Sequence, residues 1–324
     1  MENKRMQFIL KNALCVVTLF CALSCDKLSS GQMPVMISPE TVVSITTRGP
    51  ISGTAIPKNR KIMLSAYHVP ADESEEPCNY FVSGCFECGR NGLWQATSYW
   101  PSTGTLSFLG YSAEFQQINA LWDKDDASRN VSFPLADNSL IQDDVLVGCA
   151  DNTSKCSVLK MDFRHVYALV TFKGCSDADY DSQKNTGVTL NRIIVKGAAF
   201  SGDVSIQRTG SDMEIRWSNV GNMKDVEIPD IPMTNLNASP SPVLGKSLLV
   251  VPGNQCPVTI GYTIHMGWDD DGNPIDRNME YTALPDGEWL AGVATNYTVY
   301  INVREVRIEP AIAEWIVSPQ LIEF

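Results

Sequence analysis

Residues 258–266 read Val258-Thr259-Ile260-Gly261-Tyr262-Thr263-Ile264-His265-Met266, with apolar side chains at every second position and Thr259, Gly261, Thr263 and His265 between them. A period of two puts alternate side chains on opposite faces, so this stretch predicts a half-buried β-strand with His265 on its polar side. Residues 297–303 repeat the arrangement: Tyr297, Val299, Ile301 and Val303 face one way, Thr298, Tyr300 and Asn302 the other. Shorter strands are predicted at 106–111, 168–173, 190–196, 204–208, 213–218 and 247–251. Ser201-Gly202-Asp203, Thr209-Gly210-Ser211, Asp271-Gly272-Asn273 and Pro285-Asp286-Gly287 carry the turn chemistry that separates them. One short helix is expected at 113–122, where Phe115, Ile118 and Trp122 have helical spacing. Many short strands, hairpin turns and so little helix predict an all-β protein of antiparallel sandwiches.

Outward from these strands the pattern changes. Residues 26–40, with Ser29-Ser30-Gly31 and two prolines, predict a flexible tether, and 229–242, with Pro229, Pro232, Pro240 and Pro242, a long loop. No repeat of fixed period is present, which disfavours solenoids and propellers. The polar stretch 151–155 marks the expected boundary between an N-terminal sandwich at 41–155 and a C-terminal one at 156–324.

At the N-terminus, Lys4, Arg5 and Lys11 precede the apolar residues 13–23, about half the ~20 that a spanning helix needs, so residues 1–24 read as a secretory signal. The run ends in Ala22-Leu23-Ser24-Cys25, small residues leading into a cysteine as in bacterial lipoprotein processing. The mature chain is expected to begin at a lipidated Cys25; an ordinary signal peptide cut nearby is the alternative.

The 324 residues are 44% hydrophobic and include seven Trp, enough for a large core and too apolar for disorder. Lys+Arg number 25 against 37 Asp+Glu, a net charge of −12; from Cys25 onward 22 cations face 36 acidic residues, or −14. That balance excludes nucleic acid, whose binding needs clustered cations to displace counterions.

Of ten cysteines, Cys15 and Cys21 leave with the signal and Cys25 takes the lipid, which leaves Cys78, Cys85, Cys88, Cys149, Cys156, Cys175 and Cys256. An odd number cannot all pair within one chain. Outside the cytoplasm disulfides are permitted, and Cys149 and Cys156 are close enough in sequence to bridge a hairpin loop. Cys85-Phe86-Glu87-Cys88 lacks the second pair a zinc knuckle requires, and Gly89-Arg90-Asn91-Gly92 breaks the helix a redox pair would use; loop thiols or local disulfides are expected.

Catalysis finds little support. The three histidines, His68, His165 and His265, fall on different predicted elements, without metal-ligand spacing and without a local nucleophile. Neither a Gly-Xaa-Ser-Xaa-Gly elbow nor a phosphate-cradling glycine loop is present. Asp269-Asp270-Asp271-Gly272-Asn273 is the densest carboxylate group, but aligning Gly272 with the calcium-loop glycine puts Asn278 where the bidentate Glu belongs, so a solvated hairpin tip is expected. Neither enzyme, cofactor nor metal is expected.

Several segments, in order, resemble the fimbrillin-like pilus proteins of Bacteroidales. Ile45-Thr46-Thr47-Arg48-Gly49-Pro50-Ile51 and Ile62-Met63-Leu64-Ser65-Ala66-Tyr67 open the similarity. It continues through Tyr99-Trp100-Pro101, Leu106-Ser107-Phe108-Leu109-Gly110-Tyr111, Asp144-Val145-Leu146-Val147 and Met161-Asp162-Phe163-Arg164-His165-Val166-Tyr167-Ala168. Leu248-Leu249-Val250-Val251-Pro252, Trp289-Leu290-Ala291-Gly292, Tyr297-Thr298-Val299-Tyr300 and residues 306–315 close it. The resemblance implies two transthyretin-like β-sandwich domains in tandem, in a lipoprotein exported through the periplasm to the outer membrane and built into a surface pilus as stalk, tip or anchor. It implies a maturation protease cutting between Arg48 and Gly49. The strand released would carry Val43 and Ile45, and an extended segment of another pilin subunit, in a homo- or hetero-polymer, would fill the groove it leaves. Loss of an edge strand exposes unpaired N–H and C=O groups that another strand satisfies.

The candidate donor is the apolar C-terminal tail, with Ile316, Val317, Leu321 and Ile322; Pro319 interrupts it. Its other reading is a last edge strand docked on its own domain. A host or bacterial surface receptor is a further expected partner. The competing function is a monomeric surface lipoprotein that binds glycans through loop aromatics such as Trp94, Trp100 and Trp268.

Overall fold

The computed structural model describes residues 34–37, 56–88, 94–116, 118, 131–155, 158–209, 212–231, 233–253, 255–302, 306–315 and 320–323. Among them every regular element is a strand. In chain order these are β1 (Pro34–Ile37), β2 (Lys61–Val69), β3 (Cys78–Cys88), β4 (Trp94–Tyr99), β5 (Thr105–Ser112), β6 (Val131–Leu135) and β7 (Leu146–Thr153). There follow β8 (Val158–His165), β9 (Ala168–Cys175), β10 (Thr186–Ala198), β11 (Ser201–Thr209), β12 (Asp212–Gly221), β13 (Lys224–Glu227) and β14 (Thr234–Asn235). The last are β15 (Leu248–Val250), β16 (Val258–Trp268), β17 (Pro274–Ala283), β18 (Val293–Ile301), β19 (Val306–Glu314) and β20 (Gln320–Glu323).

These strands form four sheets. The largest has eight strands in the order β1-β4-β3-β2-β5-β7-β8-β20. One face buries Ile62, Leu64, Phe86, Trp100, Phe108, Met161 and Phe163 in a core of its own. On the other, Leu109, Tyr111 and Val147 pack against Phe133, Val204 and Ile206 of a three-stranded sheet, β12-β11-β6. The remaining two sheets, β15-β9-β18-β19 and β13-β10-β16-β17 with β14 beside β10, enclose a third core containing Phe172, Leu190, Ile260, Tyr262, Tyr297 and Val299.

Each strand predicted from alternation has a counterpart, that at 297–303 being β18, which ends at Ile301, while Val303 lies outside the described residues. Within β16, Val258, Ile260, Tyr262 and Ile264 enter the core as expected. Thr259 and Thr263 are buried too, because this central strand is flanked on both sides: Thr259 Oγ1 lies 2.8 Å from Thr282 Oγ1, and Thr263 Oγ1 donates to Asn278 Oδ1 at 2.7 Å. In β10 the register against β16 shifts between Leu190 and Arg192. The bulge at Asn191 changes the parity, so that Val188, Leu190, Ile193 and Val195 all point inward.

Several expectations are corrected. The described residues of the predicted helix, 113–116 and 118, are not helical, and the N–H groups of 114–116 meet a buried carboxylate described below; 117 and 119–122 lie outside the described residues. Ser201-Gly202-Asp203 is not a turn but the start of β11. The pair β9·β18 is parallel, since residues 284–292 carry the chain across from the sheet of β17 and return it at the same end as β9. Thr234–Asn235 in the proline-rich loop pairs with β10, and Pro34–Ile37 in the expected tether pairs with β4. Residues 151–153 of the expected boundary end β7, which is hydrogen-bonded to β8, and the domain division itself stays an expectation.

Candidate functional site

The eight-stranded sheet ends on its two shortest strands, and both come from near the ends of the sequence. β1 covers β4, with Pro34 opposite Tyr99 and Ile37 opposite Trp94. β20 covers β8 through the pairs Gln320↔Met161, Leu321↔Lys160, Ile322↔Leu159 and Glu323↔Val158. The backbones of β1 and β20 also approach one another, so the two ends of this sheet are neighbours. Removing either strand would expose a row of unpaired N–H and C=O groups beside an apolar core.

Of the residues singled out above, Leu321 and Ile322 lie on β20. Cys25, Val43, Ile45, Arg48, Gly49, Ile316 and Val317 lie outside the described residues. Trp100, in the connection between β4 and β5, is not exposed: it is buried, edge-on to Phe108 at 5.7 Å. Trp94 opens β4. Trp268 ends β16, 47% exposed, with its Nε1 donating to Gln183 O at 2.9 Å.

The histidines are structural partners in three places. His68 Nε2 lies 2.8 Å from Thr103 O. His265 lies on the polar face of β16, Nδ1 2.7 Å from Asp276 Oδ1 and Nε2 2.8 Å from Thr189 Oγ1. The imidazole and Asn185 together hold the Asp276 carboxyl below the usual carboxylate range. Asp269 is turned onto its own hairpin: its Oδ1 accepts from Asn273 N at 2.7 Å and Asp271 N at 3.0 Å, which lowers its pKa. Gly272, at φ +79°, supplies the left-handed residue of that turn. Among the described residues no group of three or more His, Cys, Asp or Glu could hold a metal ion.

Cys85 and Cys88 lie on β3 instead of in a loop, and three residues of extended chain place them on opposite faces, where they cannot bridge each other. Cys149 Sγ sits 3.5 Å from Met213 Sδ, and Cys156 lies outside the described residues. Burial raises the pKa of Cys88, Cys175 and Cys256, which favours the thiol over the nucleophilic thiolate.

Behind the sheet end lies a buried polar cluster. Asp143 accepts from the backbone N–H groups of Glu114 (3.0 Å), Phe115 (2.8 Å) and Gln116 (2.9 Å), and Arg60 Nη2 stands 3.4 Å away. Arg60 also donates to the carbonyl of Asp144. The Asp144 carboxylate lies 2.9 Å from His165 Nδ1, both side chains being fully enclosed. On the imidazole stacks Trp315, ring centroids 3.4 Å apart and planes 13° from parallel.

A family model described as fimbrillin-like matches residues 47–315. The chain belongs to the fimbrillin-like family. Two solved structures share the fold of this fimbrillin-like chain. A fimbrial protein from Bacteroides vulgatus ATCC 8482 superposes with a TM-score of 0.55 at 11% identity, covering 78% of this chain and 92% of its own. A "putative cell adhesion protein" from Bacteroides uniformis ATCC 8492 gives 0.50 at 12% identity, covering 88% and 100%. No curated protein matches.

Sequence reasoning missed β1 and the Arg60–Asp143–Asp144–His165 cluster of this fimbrillin-like chain. For the cluster a signal existed: Asp143-Asp144 stands directly before the apolar Val145-Leu146-Val147, adjacent carboxylates at the mouth of a buried strand.

Proposed function

We propose that this fimbrillin-like protein is a non-enzymatic subunit of a cell-surface pilus that joins its neighbours by exchanging strands. In this reading two transthyretin-like sandwiches stand in tandem, and the chain is exported behind a signal peptide and lipidated at Cys25 at the outer membrane. A trypsin-like maturation protease then cuts after Arg48, before Gly49. The carrying observation is that a segment preceding Arg48 and one following Trp315 cover the two neighbouring ends of a single sheet. Cleavage at Arg48 would detach β1 together with the strand carrying Val43 and Ile45, leaving the outer edge of β4 unpaired. The tail holding Ile316, Val317, Leu321 and Ile322 is the donor: within one molecule it covers β8, and in exchange it would fill the edge that β1 vacates on β4 of a second copy.

Treatment of the purified protein with a trypsin-like protease is expected to trim it at Arg48 and to produce ladder-like oligomers on gels. Arg48→Ala should block both; a mutant trimmed at the same bond would remove the cleavage step. A monomeric glycan binder would show neither trimming nor ladders and would gain thermal stability with one particular sugar.

A further inference from the structure

The tail is held along β8 at two places. β20 pairs with the first four residues of β8, Val158 to Met161. Beyond the other end of the tail, the Trp315 indole stacks on His165, the last residue of the same strand. Trp315 stands five positions before Gln320, and His165 four positions after Met161, the partner of Gln320. His165 is a fixed platform, because Asp144 holds its Nδ1 at 2.9 Å and the next residue, Val166, donates from its backbone N–H to Val145 O at 3.0 Å. The Trp315 backbone is fixed as well, its N–H donating to Gly292 O at 2.9 Å.

A ladder of four residues at a sheet edge is marginal by itself. Anchoring the chain just before it shortens the loop that pairing must close and raises the local concentration of the strand at its own edge. We propose that the His165–Trp315 stack is a clamp: it sets the register of the tail on β8 and keeps that edge closed to the strand of a second copy. The clamp rests on the donor reading only for its consequence, which is to hold the donor strand on its own molecule until assembly.

Hydrogen–deuterium exchange of the full-length monomer tests it. Trp315→Ala should speed exchange of the amides of residues 320–323 by about tenfold or more while the β16 amides keep their protection. Trp315→Phe, which retains a stacking ring, should stay near the wild-type rate. A peptide of residues 315–324 should bind the Trp315→Ala protein more tightly than the wild type. Unchanged exchange at 320–323 in Trp315→Ala would overturn the clamp, and so would acceleration shared equally by β16, which marks a general loss of stability. Fast tail exchange with unaltered polymer formation would instead sink the donor reading and leave the clamp standing.

Discussion

Asp143 shows how much one side chain can organise. Its enclosed carboxylate takes three consecutive backbone N–H groups of a connecting segment, and it faces the buried Arg60 guanidinium. Asn138 fixes it from behind, accepting from Asp143 N at 2.7 Å and donating to Asp143 O at 2.9 Å. Alanine at 143 would strand three donors and a buried cation, so D143A is expected to destabilise by about 3–5 kcal/mol, read as a lower urea midpoint. Asp276 works at the surface. Its pKa is lowered in the folded state, so its contribution is complete above the ordinary carboxylate pKa and is lost as pH falls through the lower folded value. Acid titration of stability should therefore show a shallow loss below about pH 4 that Asp276→Asn removes. The carboxylate is 35% exposed, so solvent screening keeps the loss under about 1 kcal/mol.

At the scale of elements, hydrogen-bond accounting decides where pattern and structure part. The spacing of Phe115, Ile118 and Trp122 suits a helix; the described part of that stretch is a non-helical connection whose N–H groups at 114–116 go to Asp143, with Ile118 buried in the core beneath the three-stranded sheet, and 117 and 119–122 lie outside the described residues. Gln142 is a comparable case. Held at φ +51°, it donates from Nε2 to Leu249 O (3.3 Å) and accepts from Leu249 N (2.6 Å), so one side-chain amide stands in for a neighbouring strand on the open edge of β15. Gln142→Ala would leave that pair unmet; a loss of about 1–2 kcal/mol is expected, with faster amide exchange at Leu249 as the local sign.

At the scale of the whole molecule, the hairpin of β11 and β12 leaves the third core and pairs with β6, so that Val204 and Ile206 close the outer face of the eight-stranded sheet. Trp217 Nε1 donates to Val166 O (2.9 Å) and Arg164 Nη1 to Met213 O (2.7 Å) across the same seam. The tail, by contrast, adds only an edge strand. Deleting residues 316–324 should leave the denaturant midpoint near that of the intact chain while abolishing incorporation into polymers; unchanged assembly would count against the donor role.

What the sequence determined by itself is local: the alternation in 258–266 and 297–303 dictates strands because side-chain direction in extended chain depends on nothing but position. Gly272 and its aspartates likewise dictate a turn, and the ordered motifs between 45 and 315 were sufficient to place the family. The tertiary structure decided everything that depends on which edge meets which. That β1 and β20 end as neighbours, that β18 runs parallel to β9, and that Trp315 lies on His165 are long-range pairings. Backbone edges are chemically alike along every strand, and loop closure and packing, not residue type, select among them.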